Sequence, residues 1–386
     1  AMPIPINQSP NPPKLMDPKY KIDDTANLLS PSMIIYRELV IANIEEMLRI
    51  AGAPERLRPH CKTHKMAEIA KLEVARGITR HKAATFAEVE MLADAGATDI
   101  LLAYNLVGPN IGRAIAVREK YPDMLFSVTT DHPAALAELA QAMTAVGQCI
   151  DVLVDINLGM NRTGLDVNDD AFNLYRDIVE RDGVTPGGLH LYDGHNQQVD
   201  VDERQAAVDA TWGPAMAFRE RLLAEGWPVP RLVCGGTPTF PVYAAKTEPG
   251  IECSPGTVVL HDSHYGRNFL DLNFTPAALI LTRCVSRPGP DLVTFDVGNK
   301  AIAADPAIDS RAFLPDLPEA VPKYHNEEHL LLQTKDAQRF TPGDETLVIP
   351  GHVCPSVALH REVYVADGGK VVGTWQVTAR DRVLSI

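Results

Sequence analysis

The stretch RPHCKTHK, residues 58–65, sets Lys62 in a basic turn between His60 and His64, directly after Leu57. A lysine becomes a covalent catalyst when nearby cations or an apolar wall disfavour its ammonium form, leaving an amine able to make a Schiff base. Arg58, His60, His64 and Lys65 supply cations close in sequence, and Leu57 reads as the end of a strand. Taken alone, the same run also reads as a solvated basic loop between a strand and a helix. Its surroundings decide between the two.

From about residue 35 to 260, short β-branched runs alternate with helical patterns of about ten to fifteen residues, as parallel βα units do. Candidate strands fall at 56–61, 78–84, 99–104, 125–130, 151–156, 187–192, 231–235 and 256–260. Between them, 66–76, 86–96, 133–143 and 203–226 carry apolar residues at three- and four-residue spacing. Eight such units predict an α/β fold, a (β/α)8 TIM-type barrel, whose chemistry gathers at the carboxyl ends of the strands. That rule brings Lys62, Thr85, Tyr104, Asn105, Asn161, Arg162, residues 193–198, Gly235 to Thr239 and residues 262–265 to one mouth.

After residue 262 the pattern changes to strands and turns, with a hairpin signal, ADGG at 366–369, between VYV and KVVGTW. A mainly antiparallel β domain is expected there. The predicted division is an N-terminal extension at 1–30, a barrel at 31–262 and the β domain at 263–386, with 31–38 able to pair with the β domain.

With 386 residues, 45% of them hydrophobic, the chain can bury one large core and a smaller one. A net charge of -14 argues against a nucleic-acid partner, which needs a basic face. No run approaches the roughly 18 apolar residues of a membrane span. The start, AMPIPINQSPNPPK, lacks the charged and apolar regions of a secretory signal, so a cytoplasmic protein is expected. The six cysteines are scattered without CxxC pairs and read as reduced thiols.

Two further runs carry candidate ligands. CGGTPTF, 234–240, offers Gly235, Gly236 and Thr237 as backbone and hydroxyl donors to an anion, at the strand-seven position where barrels often bind phosphate; otherwise it is a tight turn. PGHVCPSVALH, 350–360, places His352 and Cys354 two apart. On an extended strand these would face one way and converge on one metal ion, with water or a substrate oxygen completing the shell. The alternative is a buried cysteine beside a loop histidine.

Together the lysine turn, the strand-seven glycines, Arg162 in GMNRTG, PGT at 255–257, DSHYG at 262–266 and the late HxC resemble the fold-type III pyridoxal phosphate enzymes. More narrowly, they resemble the D-threonine aldolase and D-serine dehydratase group, related to alanine racemase. The resemblance runs from about residue 30 onward. It implies Lys62 as the Schiff-base lysine, Arg162 near the cofactor's ring hydroxyl, and Gly235, Gly236 and Thr237 at its phosphate. It also implies Tyr192 lining the pocket and His352 and Cys354 holding a divalent ion such as zinc, manganese or magnesium.

The implied activity is that of a lyase on D-β-hydroxy amino acids, with a homodimeric assembly. In the aldolase route a base takes the β-hydroxyl proton and the Cα–Cβ bond breaks, giving glycine and an aldehyde; His195 is the candidate base, or else a turn histidine bonded to backbone. In the dehydratase route Lys62 removes the α-proton and the β-hydroxyl leaves, giving a keto acid and ammonia. Low-specificity D-threonine aldolases carry His-x-Asp where this chain has His352-Val353-Cys354, and a histidine where Gln198 stands. Cys354 resembles the dehydratases and suits zinc, whereas the YDGH turn, 192–195, resembles the aldolases. The aldolase is the leading expectation, ahead of the dehydratase; a racemase or a binding protein without turnover stands further off.

Overall fold

The structure, a computed structural model, describes residues 17–386; the proline-rich start, and with it most of the expected N-terminal extension, lies outside the described residues. The chain divides into two compact units. One comprises Leu39–His261, Tyr265–Thr275 and Trp375–Ile386; the other takes the described residues up to Glu38 with Asp262–His264 and Pro276–Thr374. Among the described residues no helix is long and apolar enough to cross a membrane.

The larger unit is built on seven parallel strands in sequential order: Arg80–Ala83, Asp99–Asn105, Leu125–Thr130, Ile150–Asp155, Val184–Leu191, Leu232–Cys234 and Ile251–Cys253. Helices such as Phe86–Asp94, Pro133–Ala145 and Val201–Ala224 follow them. Leu101, Leu153 and Val233, all buried, form one cluster from alternate strands, the layering expected when a parallel sheet curls on itself.

The first of the eight expected strands, at 56–61, is reduced to two isolated bridges, Leu57 to Cys253 and His60 to Lys82, which close the sheet between its first and last strands. Proline explains the interruption: Pro59 has no amide proton and cannot donate to a ladder. The amides of Arg58 and His60 bond Cys253 and Pro255 on one side, while the Pro59 carbonyl takes the Lys82 amide on the other. The strand expected at 256–260 is also corrected. Pairing ends at Cys253, and Thr257–Val259 is a buried 3-10 turn, its apolar run covering the core without entering the sheet.

At the amino ends of the strands lies a network of buried charge. The Arg58 guanidinium, 0% exposed, bonds Asp99 at 2.8 and 2.9 Å and Glu252 at 2.5 Å. Arg231 adds Asp151 and Asp99, and Arg80 reaches Glu252 at 3.1 Å. Burial alone would raise the Asp99 pKa, but Arg58, with Arg231 and Arg80, holds it below the ordinary carboxylate value.

In the other unit a nine-stranded, mainly antiparallel sheet centres on Ala278–Gly289, which pairs with Ser32–Tyr36, Leu292–Phe295 and Glu345–Pro350. One pair is parallel, Ser32–Tyr36 with Glu362–Asp367. The ADGG signal forms the tight hairpin between Glu362–Asp367 and Lys370–Gln376, with Gly368 and Gly369 at φ 57° and 77°, where other residues would be strained.

Candidate active site

A cavity of about 410 Å³ opens in the barrel unit at the carboxyl ends of its strands. Tyr192 stands just past the strand Val184–Leu191, two residues after His190, so both side chains line the cavity. Three cations surround the tyrosine ring. The Arg162 guanidinium carbon lies 5.0 Å from the ring centroid, Lys82 Nζ 5.6 Å and Lys62 Nζ 5.9 Å. An aromatic face attracts each of them, and so many positive charges in one concavity favour an anionic occupant.

Lys82 is a residue that sequence reasoning did not single out. It sits in the strand Arg80–Ala83, 2% exposed, with Nζ 3.3 Å from His190 Nε2. His190 Nδ1 in turn lies 2.7 Å from the Asp155 carboxylate. That carboxylate holds the ring proton on Nδ1 and leaves the Nε2 lone pair facing the lysine. Burial, then the charge of Lys62, pushes Lys82 down to about 7. Burial and the charge of Lys82 likewise hold His190 below its ordinary value and therefore neutral. The available signal was a lysine inside the short strand reading ITRHKAA, where a charged side chain facing a barrel interior calls for a reason.

The neighbours expected to act on Lys62 are corrected. Arg58 is engaged at the far end of the strands with Asp99 and Glu252. Lys65 pairs with the buried Glu88, and His64 Nδ1 accepts the Met66 amide at 3.0 Å. His60 lines the cavity, but burial and the charges of Lys62 and Lys82 hold its pKa well below the ordinary value, so it is neutral. Lys82 and Arg162 are the cations that share the cavity with Lys62, together with the carboxylates of Asp131 and Asp155. Proximity in sequence misled because residues two apart on an extended segment reach different depths of a barrel.

The glycine turn is shaped by close contacts, excluding at Gly235 and tight at Gly236. Gly235 has φ 69°, and a Cβ there would meet the Tyr243 ring at 2.6 Å. At Gly236 a Cβ would stand 3.2 Å from the Tyr192 ring. The buried Asp193 carboxylate fixes the turn by accepting from the Thr239 hydroxyl at 2.8 Å and the Tyr243 hydroxyl at 3.1 Å. Thr237 Oγ1 accepts the Thr257 amide at 3.1 Å, so the turn lies against the Gly256–Thr257 turn that follows the last strand.

The other candidates fall as follows. Asn105 and Tyr104 line the cavity, Asn105 donating to Asp131 at 2.8 Å. Thr85 caps the helix Phe86–Asp94 by accepting the Glu88 amide. His195 is exposed and is not among the cavity-lining residues; its Nε2 would be 3.2 Å from a Cβ at Gly159.

In the smaller unit His352 and Cys354 hydrogen-bond each other, and His352 Nδ1 lies 2.6 Å from Asp305 Oδ2. The hydrogen bond with Cys354 first, then the electrostatic effect of Cys354 and of Asp305, raises the His352 pKa to about 9 against the opposing effect of burial. The expectation that the pair rides a strand is corrected: His352 occupies the N-cap position of the short helix Val353–Ala358 without a side-chain capping bond, and Cys354 lies in its first turn. A separate triple, His60, Cys61 and Glu88, has donor atoms mutually within 4.8 Å, but Glu88 is already engaged by Lys65 and the Ala84 amide.

The mouth of this parallel barrel thus brings two lysine amines and an arginine into one cavity, with the glycine turn outside its lining but packed against Tyr192. Residues 35–261 match the family described as alanine racemase, N-terminal domain, and residues 277–366 match a putative serine dehydratase domain. The chain belongs to the alanine racemase N-terminal-domain family, a family of fold-type III pyridoxal phosphate enzymes, and it is a lyase. It is 30% identical to a D-threonine aldolase from Arthrobacter sp, over 93% of this chain and 94% of that one. A D-threo-3-hydroxyaspartate dehydratase from Delftia sp. is 27% identical, over 92% and 98%. The crystal structure of D-threonine aldolase from Filomicrobium marinum superimposes with a TM-score of 0.85 at 28% identity, over 92% and 97% of the two chains.

Proposed function

We propose that this enzyme cleaves D-β-hydroxy amino acids, D-threonine among them, to glycine and an aldehyde, using pyridoxal phosphate and a divalent metal. The observation that carries this reading is the gathering of Lys62, Lys82 and Arg162 around Tyr192, a cavity suited to an anionic aldehyde. Lys62, Tyr192 and Arg162 would hold pyridoxal phosphate in that cavity, Lys62 as the amine for its aldehyde, with Gly235, Gly236 and Thr237 as the candidate donors to its phosphate. Pyridoxal phosphate, when bound, supplies a sink for the electrons of the broken bond. His195, on an exposed turn beside Gly159 and outside the residues that line the cavity, is the candidate to take the β-hydroxyl proton. The reading includes a cytoplasmic homodimer acting on a small amino acid.

His352 and Cys354 would hold the metal, with Asp305 orienting the imidazole as carboxylates do for metal-bound histidines. Nitrogen and sulfur donors suit zinc, which would supply a Lewis acid for a hydroxyl oxygen. Cys354→Ala is expected to weaken zinc binding by about ten-fold or more, read from metal content after dialysis against graded chelator. Activity lost on chelation should return with zinc or manganese; a variant that keeps wild-type metal content removes Cys354 as a ligand.

The thiol beside His352 favours a second reading, β-elimination of D-serine or D-threo-3-hydroxyaspartate to a keto acid and ammonia, in which Lys62 removes the α-proton. Incubation with D-threonine separates the two. Glycine with acetaldehyde supports the aldolase, and 2-oxobutanoate with ammonia supports the dehydratase. If neither pair forms from D-threonine, D-serine or D-3-hydroxyaspartate with metal present, both readings fail.

A further inference from the structure

The cavity holds a second amine for which the proposed reaction has no use. Lys82 has no carboxylate partner among its hydrogen bonds; its Nζ meets His190 Nε2 at 3.3 Å and lies 5.6 Å from the Tyr192 centroid, close to the 5.9 Å of Lys62 Nζ. His190 is itself fixed by Asp155 at 2.7 Å. A buried lysine left so weakly compensated costs stability, and a packed apolar side chain in its place would not, so its charge calls for a role.

We propose that Lys82 is a positioning residue that acts through its charge on Lys62, held in place by His190 and Asp155, and that it lowers the proton affinity of whatever nitrogen Lys62 contributes to a bound aldehyde. The inference rests on Lys62 being the cofactor lysine. Its physical basis is the repulsion between like charges brought to one aromatic ring, which disfavours protonation of a nitrogen placed beside Lys82. The groups that face Lys82 from the surrounding strands are Lys62, His60, His190, Asp155 and Cys234, with Arg58 and Arg162 further out. Both histidines are held neutral, so Lys62 is the cation nearest in effect and Asp155 the opposing charge. The depressed basicity of Lys82 is the reciprocal of the same repulsion added to its burial.

The test is the pH titration of the visible absorbance of pyridoxal phosphate bound to the full chain, wild type against Lys82→Met and Lys82→Arg. Methionine keeps the bulk and removes the charge; arginine keeps the charge. The midpoint of the spectral transition is expected to rise by about one pH unit or more in Lys82→Met and to stay at or below the wild-type value in Lys82→Arg. A midpoint unmoved in Lys82→Met, or raised equally in both variants, overturns the inference. Borohydride reduction and peptide mass mapping accompany each titration. A label on Lys62 with an unmoved midpoint sinks this inference alone, whereas a label on any other lysine overturns the Lys62 assignment and this inference with it.

Discussion

Replacement of Lys62 by alanine is expected to lower turnover roughly ten-thousand-fold and to abolish borohydride-fixed pyridoxal phosphate at position 62. Lys62 follows the bridge that closes the barrel, and its Nζ reaches the ring that Arg162 and Lys82 also approach. The other amine cannot take over without losing its place. Lys82 sits in the strand below, tied to the His190–Asp155 pair, and its side chain is set by that strand and not by a turn. The measurement is steady-state kinetics on D-threonine alongside intact mass after reduction. Full activity in the variant would sink both the aldolase and the dehydratase.

Arg58→Ala is expected to have the largest effect on stability, about 3–5 kcal/mol, because it strips the shared partner from buried carboxylates. Arg58 is 0% exposed, and its guanidinium is divided between Asp99 and Glu252. Arg231 keeps only a 3.7 Å contact with Asp99 while it serves Asp151, and Arg80 holds the other Glu252 oxygen, so neither makes the close bonds that Arg58 makes. Thermal melting by circular dichroism reads the loss. A drop of only a degree or two would mean that the network relaxes around the missing side chain.

The same variant has a pH signature. The Asp99 pKa is lowered from the ordinary 3.8, chiefly by Arg58 against the effect of burial, so it contributes stability above 3.8 that is lost as pH falls through the folded value. Without Arg58 the folded value rises toward or above the unfolded one. The acid unfolding midpoint of Arg58→Ala should therefore lie at higher pH than that of the wild type.

Arg58 also illustrates what could and could not be read from the chain. RPHCKTHK does bring Lys62 to the cavity, but the cations beside it in sequence are neutral, paired, or directed to the opposite end of the strands. The repeat of β-branched runs and amphipathic helices was legible because periodicity is local. Where the expectation slipped, at 56–61 and 256–260, local pattern was overruled. Pro59 broke one ladder, and the apolar GTVVL run served the core as a turn. His352 and Cys354 were legible as neighbours, yet the helix start that carries them was not, since Pro350 and Gly351 before them suit a strand end or a cap equally.

By itself the sequence determined a parallel βα repeat, a following antiparallel sheet, a lysine turn and a glycine turn, because each is written in residues close along the chain. Only the tertiary structure decided which charges share a cavity with Lys62. Lys82 and His190 stand 108 positions apart, on strands that meet across the barrel interior only after the sheet has closed, and no spacing in a linear chain encodes that meeting.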